Sequence, residues 1–249
     1  MRALSQEQIF SRLTAFPWAS KEKLERLIAL GHTHRVARRR AIFQPGDESN
    51  RVYVLHSGIA KLCILNRSES VLVGLIAPGE VFGASALLGH DRRQFRCDAL
   101  TECTVSSFTP AEFVETLLGM ELAHLSQFLE ATVGKWWLML LRYANSVGTG
   151  LRERLAAALI ELGGKFGAVD DRGIIITVKL THADLAALVG ASRQRTTSQL
   201  AAFEREGALI RDGRRLIIVA DKLQRLTEPQ VRRARAPVRE STPHGREQV

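Results

Sequence analysis

The sequence predicts an α+β protein in three successive parts: an antiparallel β-roll, one long helix, and a compact domain of short helices with a hairpin. Short β-rich runs with Gly and Pro turns occupy about residues 33–108, which is typical of an antiparallel sandwich or barrel. An apolar helical repeat follows from Glu121 to Val147. Beyond residue 150, capped helices and a basic hairpin follow one another closely.

Composition limits the classes of function. The 249 residues carry 35 Lys and Arg against 26 Asp and Glu, a net charge of +9, which favours nucleic acid or an acidic membrane surface as partner. No run approaches the roughly 18 consecutive apolar residues of a membrane span. The N-terminus becomes polar too early for a signal peptide. We therefore expect a soluble, cytoplasmic protein that has no membrane partner.

The cysteines and the known catalytic motifs argue against a metal site and against an enzyme. Cys63, Cys97 and Cys103 are odd in number and lack CxxC spacing, so neither a disulfide framework nor a zinc or iron–sulfur site is supported. We expect all three to fill small apolar sites. The chain contains no Walker loop, GxSxG elbow or HExxH pair.

Four β-rich runs define the first part: residues 52–55, 60–65, 71–76 and 103–108. They are separated by turns at Pro45-Gly46-Asp47, Ser57-Gly58 and Pro78-Gly79-Glu80. A helix is predicted before them over Leu4–Phe16. Another should begin after them, because Thr109 provides a cap and Pro110 suits the first helical position.

The long helix carries apolar residues at heptad spacing. One stripe consists of Leu122, Leu129, Trp136 and Tyr143, and a second beside it consists of Val133, Leu140 and Val147. A seam of this length predicts a partner helix, which a two-fold dimer supplies. The alternative is a helix packed only on its own domain. Gly148-Thr149-Gly150 interrupts the pattern and is predicted to form a hinge.

Local signals place the elements of the last part. The predicted elements are a helix over Leu151–Leu162 ended by Gly163-Gly164, a strand over Ile174–Val178, a helix from Thr181 to Gly190, a helix from Ser192 to about Glu206, and a hairpin turning at Asp212-Gly213. Two short helices joined around Gly190 form a helix-turn-helix, and the basic hairpin adds a wing.

The first turn of the second helix carries the functional prediction, because a helix-turn-helix presents these side chains to base edges. Arginine suits guanine and glutamine suits adenine. The candidate DNA-contacting residues are Thr181, Ser192, Arg193, Gln194, Arg195, Thr197 and Ser198, with Arg211, Arg214 and Arg215 in the wing. The alternative is that Arg193–Arg195 is merely a solvated basic turn.

The stretch Leu180–Arg193 resembles the DNA-binding motif of the CRP/FNR transcription regulators, and the turns at Pro45-Gly46-Asp47 and Pro78-Gly79-Glu80 resemble that family's β-roll. The resemblance implies a cyclic-nucleotide-binding-like sensor domain over 1–119, a dimerisation helix and hinge over 120–150, and a winged helix-turn-helix over 151–227. Residues 228–249 contain three Pro and almost no large apolar side chains, so their composition predicts a basic disordered tail. The resemblance also implies a homodimer on a roughly palindromic DNA site, and RNA polymerase comes into consideration as a further partner.

The resemblance places the effector pocket at Gly83, Ala84, Ser85, Arg93, Gln94, Met139 and Leu140. Cyclic-nucleotide-binding members of the family have Glu where this chain has Ala84, and hydroxyl residues where it has Met139 and Leu140. The phosphate-binding Arg corresponds to Arg93, but the bulky Gln94 and Phe95 follow it. We therefore expect no cofactor and no dependence on cAMP, and the effector stays unknown.

Other sensing chemistries find little support. The oxygen-sensing members carry an N-terminal cysteine cluster, and residues 1–62 contain no cysteine. Haem ligation by His32, His34, His56 or Cys63 stays an alternative, as does a dimer whose Trp136–Leu140 block fills the space between the subunits without a ligand. A rival from another class is a ligand-sensing module that acts through a protein partner.

Overall fold

The computed structural model describes residues 31–66, 69–213 and 215–227. The helix predicted over Leu4–Phe16 and the tail predicted over 228–249 lie outside these residues. Within them, the chain forms a strand-rich domain, one long helix and a C-terminal domain of helices and hairpins, in the predicted order. The predicted α+β fold is confirmed.

Eight strands form the first domain within the described residues. They are β1 (His32–Val36), β2 (Ala41–Phe43), β3 (Val52–Ser57), β4 (Ala60–Asn66), β5 (Glu69–Ile76), β6 (Val81–Phe82), β7 (Phe95–Ala99) and β8 (Cys103–Phe108). They build two antiparallel sheets of order β1-β8-β3-β6 and β2-β7-β4-β5. The sequence runs missed β1, whose side chains are mainly exposed, and β2 and β6, which have only three and two residues. They also missed β7, in which the charged Arg96 and Asp98 interrupt the apolar pattern.

The core of the β-roll is filled by alternate residues of both sheets. Leu55, Cys97, Cys103 and Val105 are almost fully buried there together with Phe82. All three cysteines are free and buried, and burial raises the pKa of each thiol. They are therefore the small core residues that were predicted.

Two helices follow the β-roll: α1 (Pro110–Leu118) and α2 (Leu122–Gly148). The predicted cap of α1 is confirmed, because the Thr109 side chain accepts from the Glu112 backbone N–H and the Glu112 carboxylate accepts from the Thr109 N–H. Helix α2 matches the predicted heptad segment within one residue at each end. It ends at the predicted glycine-containing break.

The C-terminal domain contains α3 (Leu151–Phe166), β9 (Gly167–Asp170), β10 (Gly173–Ile176), α4 (His182–Val189), α5 (Arg193–Arg205), β11 (Leu209–Asp212), β12 (Arg215–Ile218) and α6 (Ala220–Thr227). The strands form an antiparallel sheet of order β11-β12-β10-β9. The sequence predicted α4, α5 and the hairpin of β11 and β12, and it missed β9 and α6.

The predicted end of α3 at Gly163-Gly164 is wrong. The helix continues to Phe166, and a Cβ atom on Gly163 would lie 2.5 Å from Cδ1 of Ile218 in β12. Gly163 therefore permits close packing of the sheet on the helix instead of ending the helix. The predicted strand over Ile174–Val178 likewise ends at Ile176.

The C-terminal domain packs on the β-roll of the same chain. Cys63, Leu72 and Leu75 from β4 and β5 share one apolar cluster with Leu155 and Leu159 of α3. Burying each leucine stabilises the contact by roughly 1.5–3 kcal/mol. The two domains therefore share a core.

An ion cluster joins the same three parts of the chain. Glu80, only 3% exposed, places Oε1 2.9 Å from Lys165 Nζ in α3 and 3.7 Å from Lys135 Nζ in α2. Burial lowers the pKa of Lys135, and the Glu80 charge offsets part of that effect. One carboxylate thus links the β-roll to the long helix and to the C-terminal domain.

Candidate nucleic-acid interface and effector site

The caps of α4 and α5 set the geometry of the helix-turn-helix. Thr181 Oγ1 accepts from the Asp184 N–H at 3.1 Å, and the Asp184 carboxylate accepts in return from the Thr181 N–H at 3.0 Å. Gly190 ends α4 in the left-handed conformation. Ser192 then caps α5 by accepting from the Arg195 N–H. Both helix starts are therefore held by side chains that the sequence identified.

Asp184 also ties the motif to the β-roll, since its Oδ1 lies 3.2 Å from Lys61 Nζ in β4. Burial opposes ionisation of this carboxyl. The hydrogen bonds from Thr181 and the charge of Lys61 outweigh burial, so the pKa of Asp184 lies below its usual value. Asp184 stays ionised at neutral pH, which preserves both contacts.

Helix α5 has one apolar face and one polar face. Leu200 and Phe203 are fully buried against the domain, whereas the candidate contact residues on the other face, Arg193, Gln194, Arg195 and Ser198, are exposed. Their side chains form no hydrogen bond or ion pair within the described part of the chain. This face can therefore offer its donors and acceptors to an external ligand.

Besides the caps Thr181 and Ser192, the candidate residue Thr197 has a side-chain partner inside the motif. Thr197 Oγ1 lies 2.9 Å from Nδ1 of His182, so this pair joins α5 to the start of α4. Together with Thr181, Ala183 and Arg193, His182 lines a depression of about 460 Å³. Sequence reasoning did not select His182, although its position directly after the cap Thr181 places it at an exposed helix start.

Not every predicted DNA-contacting arginine of the wing is without a partner in the protein. Arg211 in β11 forms an ion pair with Glu204 of α5 at 2.6 Å, so its guanidinium already has a partner within the domain. Arg215 is exposed and makes no hydrogen bond or ion pair among the described residues. Arg214 lies outside the described residues.

In the candidate effector site, Arg93 is 3% exposed and its guanidinium is bound by the protein itself. Nη1 donates to the carbonyl oxygen of Gly83 at 2.8 Å and to Ser85 Oγ at 3.1 Å, and Nη2 donates to the carbonyl oxygen of Arg51. Gly83 adopts φ +73°, and a Cβ there would lie 3.2 Å from Arg93 Nη1. The turn at Phe82-Gly83 therefore packs closely against Arg93.

Aromatic rings cover the rest of the Arg93 guanidinium. Its central carbon lies 4.6 Å from the ring centre of Phe43 and 5.6 Å from that of Tyr53. Phe82 stacks on both rings. Burial lowers the pKa of Arg93, and the rings and carbonyl oxygens supply the compensating contacts.

The remaining effector-site residues lie at the surface. Ala84 is exposed and begins a short 3-10 helix, and its methyl group offers no hydrogen-bond acceptor. Gln94 is exposed, whereas Phe95 packs on the β-roll core. Met139 and Leu140 are 44% and 56% exposed.

The predicted dimer stripe is exposed along α2. The exposed fractions are 82% for Leu122, 52% for Leu129, 64% for Val133, 61% for Trp136, 56% for Leu140 and 71% for Tyr143. Apolar residues this exposed along one helix are typical of an interaction face.

The possible metal and haem ligands of the described residues are not grouped together. No group of three or more His, Cys, Asp or Glu is close enough there to hold a metal ion. His56 Nε2 lies 2.7 Å from Ser106 Oγ, and burial lowers the pKa of His56.

Among the described helices, none combines the length and apolarity that a bilayer crossing needs.

A β-roll, a long helix with an apolar face, and a winged helix-turn-helix with an exposed polar helix are the architecture of a DNA-binding transcription regulator. Family models match accordingly: a cyclic nucleotide-binding domain over residues 33–118 and a Crp-like helix-turn-helix domain over residues 153–227.

Curated relatives carry the same assignment. The chain is 32% identical to the global nitrogen regulator of Synechococcus elongatus over 178 residues, which cover 70% of this chain and 78% of the relative. It is 31% identical to the transcriptional regulator SdrP of Thermus thermophilus, covering 68% and 78%. The chain belongs to the CRP/FNR family of transcription regulators.

Solved structures agree at the level of the fold. A CRP-family regulator from Thermus thermophilus matches with a TM-score of 0.64 at 24% identity, over 78% of this chain and 96% of that one. The c-di-GMP-responsive regulator CLP of Xanthomonas campestris matches with a TM-score of 0.65 at 20% identity, over 80% and 99%.

Proposed function

We propose that this regulator acts in the cytoplasm as a homodimer that binds a near-palindromic operator through α5, and that specific binding does not require cAMP. The main observation in support of DNA binding is the exposure of the first turn of α5. Arg193 and Gln194 are exposed there and have no partner among the described residues. Arginine binds guanine through N7 and O6, and glutamine binds adenine through N6 and N7.

Dimerisation is supported by the exposed stripe on α2. A two-fold axis along this helix would bury the stripe of each subunit against the other. The same axis would relate the two α5 helices to each other, and a palindromic site requires two such helices about one DNA turn apart, roughly 34 Å. Without a partner, Trp136 and its neighbours would keep a large apolar surface in water.

Independence of cAMP is supported by three features of the candidate pocket. Both terminal nitrogens of Arg93 already donate to protein oxygens, so a cyclic phosphate would have to displace these bonds. Ala84 has no acceptor for a ribose hydroxyl, and neither Met139 nor Leu140 can hydrogen-bond a base. A relative from Mycobacterium tuberculosis, 24% identical, is a cAMP-activated regulator. Under this proposal, that relative and the present chain differ in whether cAMP activates them.

DNA binding is tested by selecting an operator from random duplexes and measuring its affinity by fluorescence anisotropy across a salt series. We expect sequence-selective binding whose log affinity falls by about 0.9 for each phosphate contact per decade of salt. A duplex with scrambled half-sites is the matched control. Failure to bind any duplex at low salt would instead favour action through a protein partner.

Dimerisation is tested with Trp136→Glu, which places a charge in the apolar seam. We expect the wild type to sediment as a dimer at micromolar concentration, and the variant as a monomer with at least about tenfold weaker operator binding. Val169→Glu is the matched control, because Val169 is 95% exposed on β9. A wild-type monomer would exclude the dimer helix.

A further inference from the structure

The link between the long helix and the C-terminal domain is short and contains glycine. Helix α2 ends at Gly148 and α3 begins at Leu151, so Thr149 and Gly150 connect them. Glycine accepts a wide range of backbone dihedral angles, so this link does not by itself set the angle between the two helices. Contacts of α2 and the β-roll with the domain beyond the link must set that angle.

Arg142 of α2 makes such a contact with Glu161 of α3. Its Nε donates to Glu161 Oε2 at 2.9 Å, and its Nη2 donates to Oε1 of the same carboxylate. Two parallel hydrogen bonds between planar groups fix direction as well as distance. Only 17% of the Glu161 side chain is exposed, so salt screens this pair less than a fully exposed one.

The same guanidinium also contacts the edge of the β-roll. Arg142 Nη1 donates to the carbonyl oxygen of Val73 at 2.8 Å. Val73 lies in β5, the last strand in the order β2-β7-β4-β5, and the pairing of β4 with β5 skips it. A bulged residue on an edge strand leaves its backbone groups open to an outside partner. Arg142 therefore joins the β-roll, α2 and α3 at one point.

Lys165 makes a second contact with β5, four residues further along α3. Its Nζ donates to the carbonyl oxygen of Leu75 at 2.5 Å and to Glu80 Oε2 at 3.0 Å. Arg142 and Lys165 thus bind carbonyl groups that are two residues apart on the same edge strand. The four charged side chains of these contacts are named the interdomain clamp: Glu80, Arg142, Glu161 and Lys165.

We propose that the interdomain clamp holds the C-terminal domain at a fixed angle to α2, and that this angle determines which half-site spacing the regulator selects. The inference rests on the proposed function, a homodimer formed along α2 that binds DNA through α5. The four side chains are positioning residues, because their partners are one another and the backbone of β5.

Spacing selectivity follows from the geometry of DNA. Inserting two base pairs between the half-sites moves one of them by about 7 Å and rotates it by about 70°, since one helical turn takes roughly 10.5 base pairs and 34–36 Å. Both α5 helices can then bind only if a C-terminal domain reorients. Such a reorientation would break the interdomain clamp, which penalises the wrong spacing.

The test measures wild-type affinity for three duplexes: the selected operator, the same operator with two base pairs inserted at its centre, and a single half-site. We expect the insertion to weaken binding by at least about tenfold, because simultaneous contact with both half-sites is lost. Fluorescence anisotropy at one salt concentration measures all three affinities.

Glu161→Lys places two cations together and breaks the interdomain clamp. The variant should bind the selected and the lengthened operator within about threefold of each other, because its C-terminal domains can reorient. Asp171→Lys is the matched control, since Asp171 is exposed in the same domain and undergoes the same charge reversal. It should keep the wild-type preference. The two variants should bind the single half-site within about twofold of each other, which also shows that both fold.

Arg142→Glu combined with Glu161→Lys restores an ion pair of reversed polarity. This double variant should prefer the selected spacing more strongly than Glu161→Lys does, which a general loss of stability would not produce. Sedimentation should show the wild type and all variants as dimers.

A wild type that binds both spacings equally, a preference that survives Glu161→Lys, or a double variant that recovers none of it overturns the proposal. Failure of the wild type to bind the single half-site, or its sedimentation as a monomer, would instead contradict the proposed function. The two kinds of failure are therefore distinguishable.

Discussion

Arg93 and Arg193 have opposite surroundings in one chain. Arg93 is 3% exposed and donates to protein oxygens from both terminal nitrogens. Arg193 is exposed in the first turn of α5 and has no partner within the described residues. Arg93 belongs to the candidate effector site, and Arg193 belongs to the turn that we propose to contact DNA.

The two arginines differ in whether their guanidinium donors are available to a ligand. A ligand that approaches Arg93 must break existing hydrogen bonds, whereas one that approaches Arg193 displaces only water. Arg93 therefore contributes to the stability of the β-roll, and Arg193 is available for recognition. Each consequence can be measured separately.

The largest expected effect is loss of stability in Arg93→Ala. The substitution leaves the carbonyl oxygens of Gly83 and Arg51 without their donor and opens space beside Phe43. We expect the free energy of unfolding to fall by about 3 kcal/mol, because the variant lacks buried hydrogen bonds to a charged group. Urea denaturation followed by fluorescence measures this change.

Arg92→Ala is the control for that experiment. Arg92 is exposed and next to Arg93, so its removal should change stability by less than about 0.5 kcal/mol. If Arg93→Ala is equally harmless, Arg93 is not a structural residue and would have to be reconsidered as a ligand-binding one.

The second effect concerns recognition and is expected in Arg193→Ala. Removing a bidentate interaction with guanine should cost about 1–3 kcal/mol of specific binding and relax selectivity at one base pair of each half-site. Stability should change by less than about 0.5 kcal/mol, since the side chain has no partner among the described residues. Operator variants tested by anisotropy measure the selectivity.

Arg215→Ala in the wing is the comparison variant. It should weaken binding to all sequences alike and reduce the salt slope by about 1 for each phosphate that Arg215 no longer neutralises. A uniform decrease of affinity in Arg193→Ala as well would mean that α5 is not the recognition helix.

The smallest effect is expected for cAMP. Because the donors of Arg93 are occupied, millimolar cAMP should change operator affinity by less than about threefold, under 1 kcal/mol. Titration calorimetry should detect weak binding or none. A micromolar dissociation constant with a tenfold gain in operator affinity would mean that cAMP displaces the intramolecular bonds, and Arg92, Arg93 and Arg96 would then need re-examination.

Local features of this protein could be predicted well from the sequence. The caps at Thr109, Thr181 and Ser192 are confirmed, as is the long helix of the heptad repeat. Each of these signals depends on residues within a few positions along the chain. The exposed polar face of α5 was predictable for the same reason, because the buried Leu200 and Phe203 determine which side faces outward.

The sequence by itself therefore determined the order of elements, their caps, and the helix that presents Arg193. Tertiary structure alone decided that Gly163 lies inside a helix against Ile218, that Arg211 is held by Glu204, and that Arg93 is bound by Gly83 and Arg51. The physical reason is range. A cap is encoded by neighbours in the chain, whereas the partners of a buried charge or a tightly packed glycine are brought together only when distant strands and helices meet.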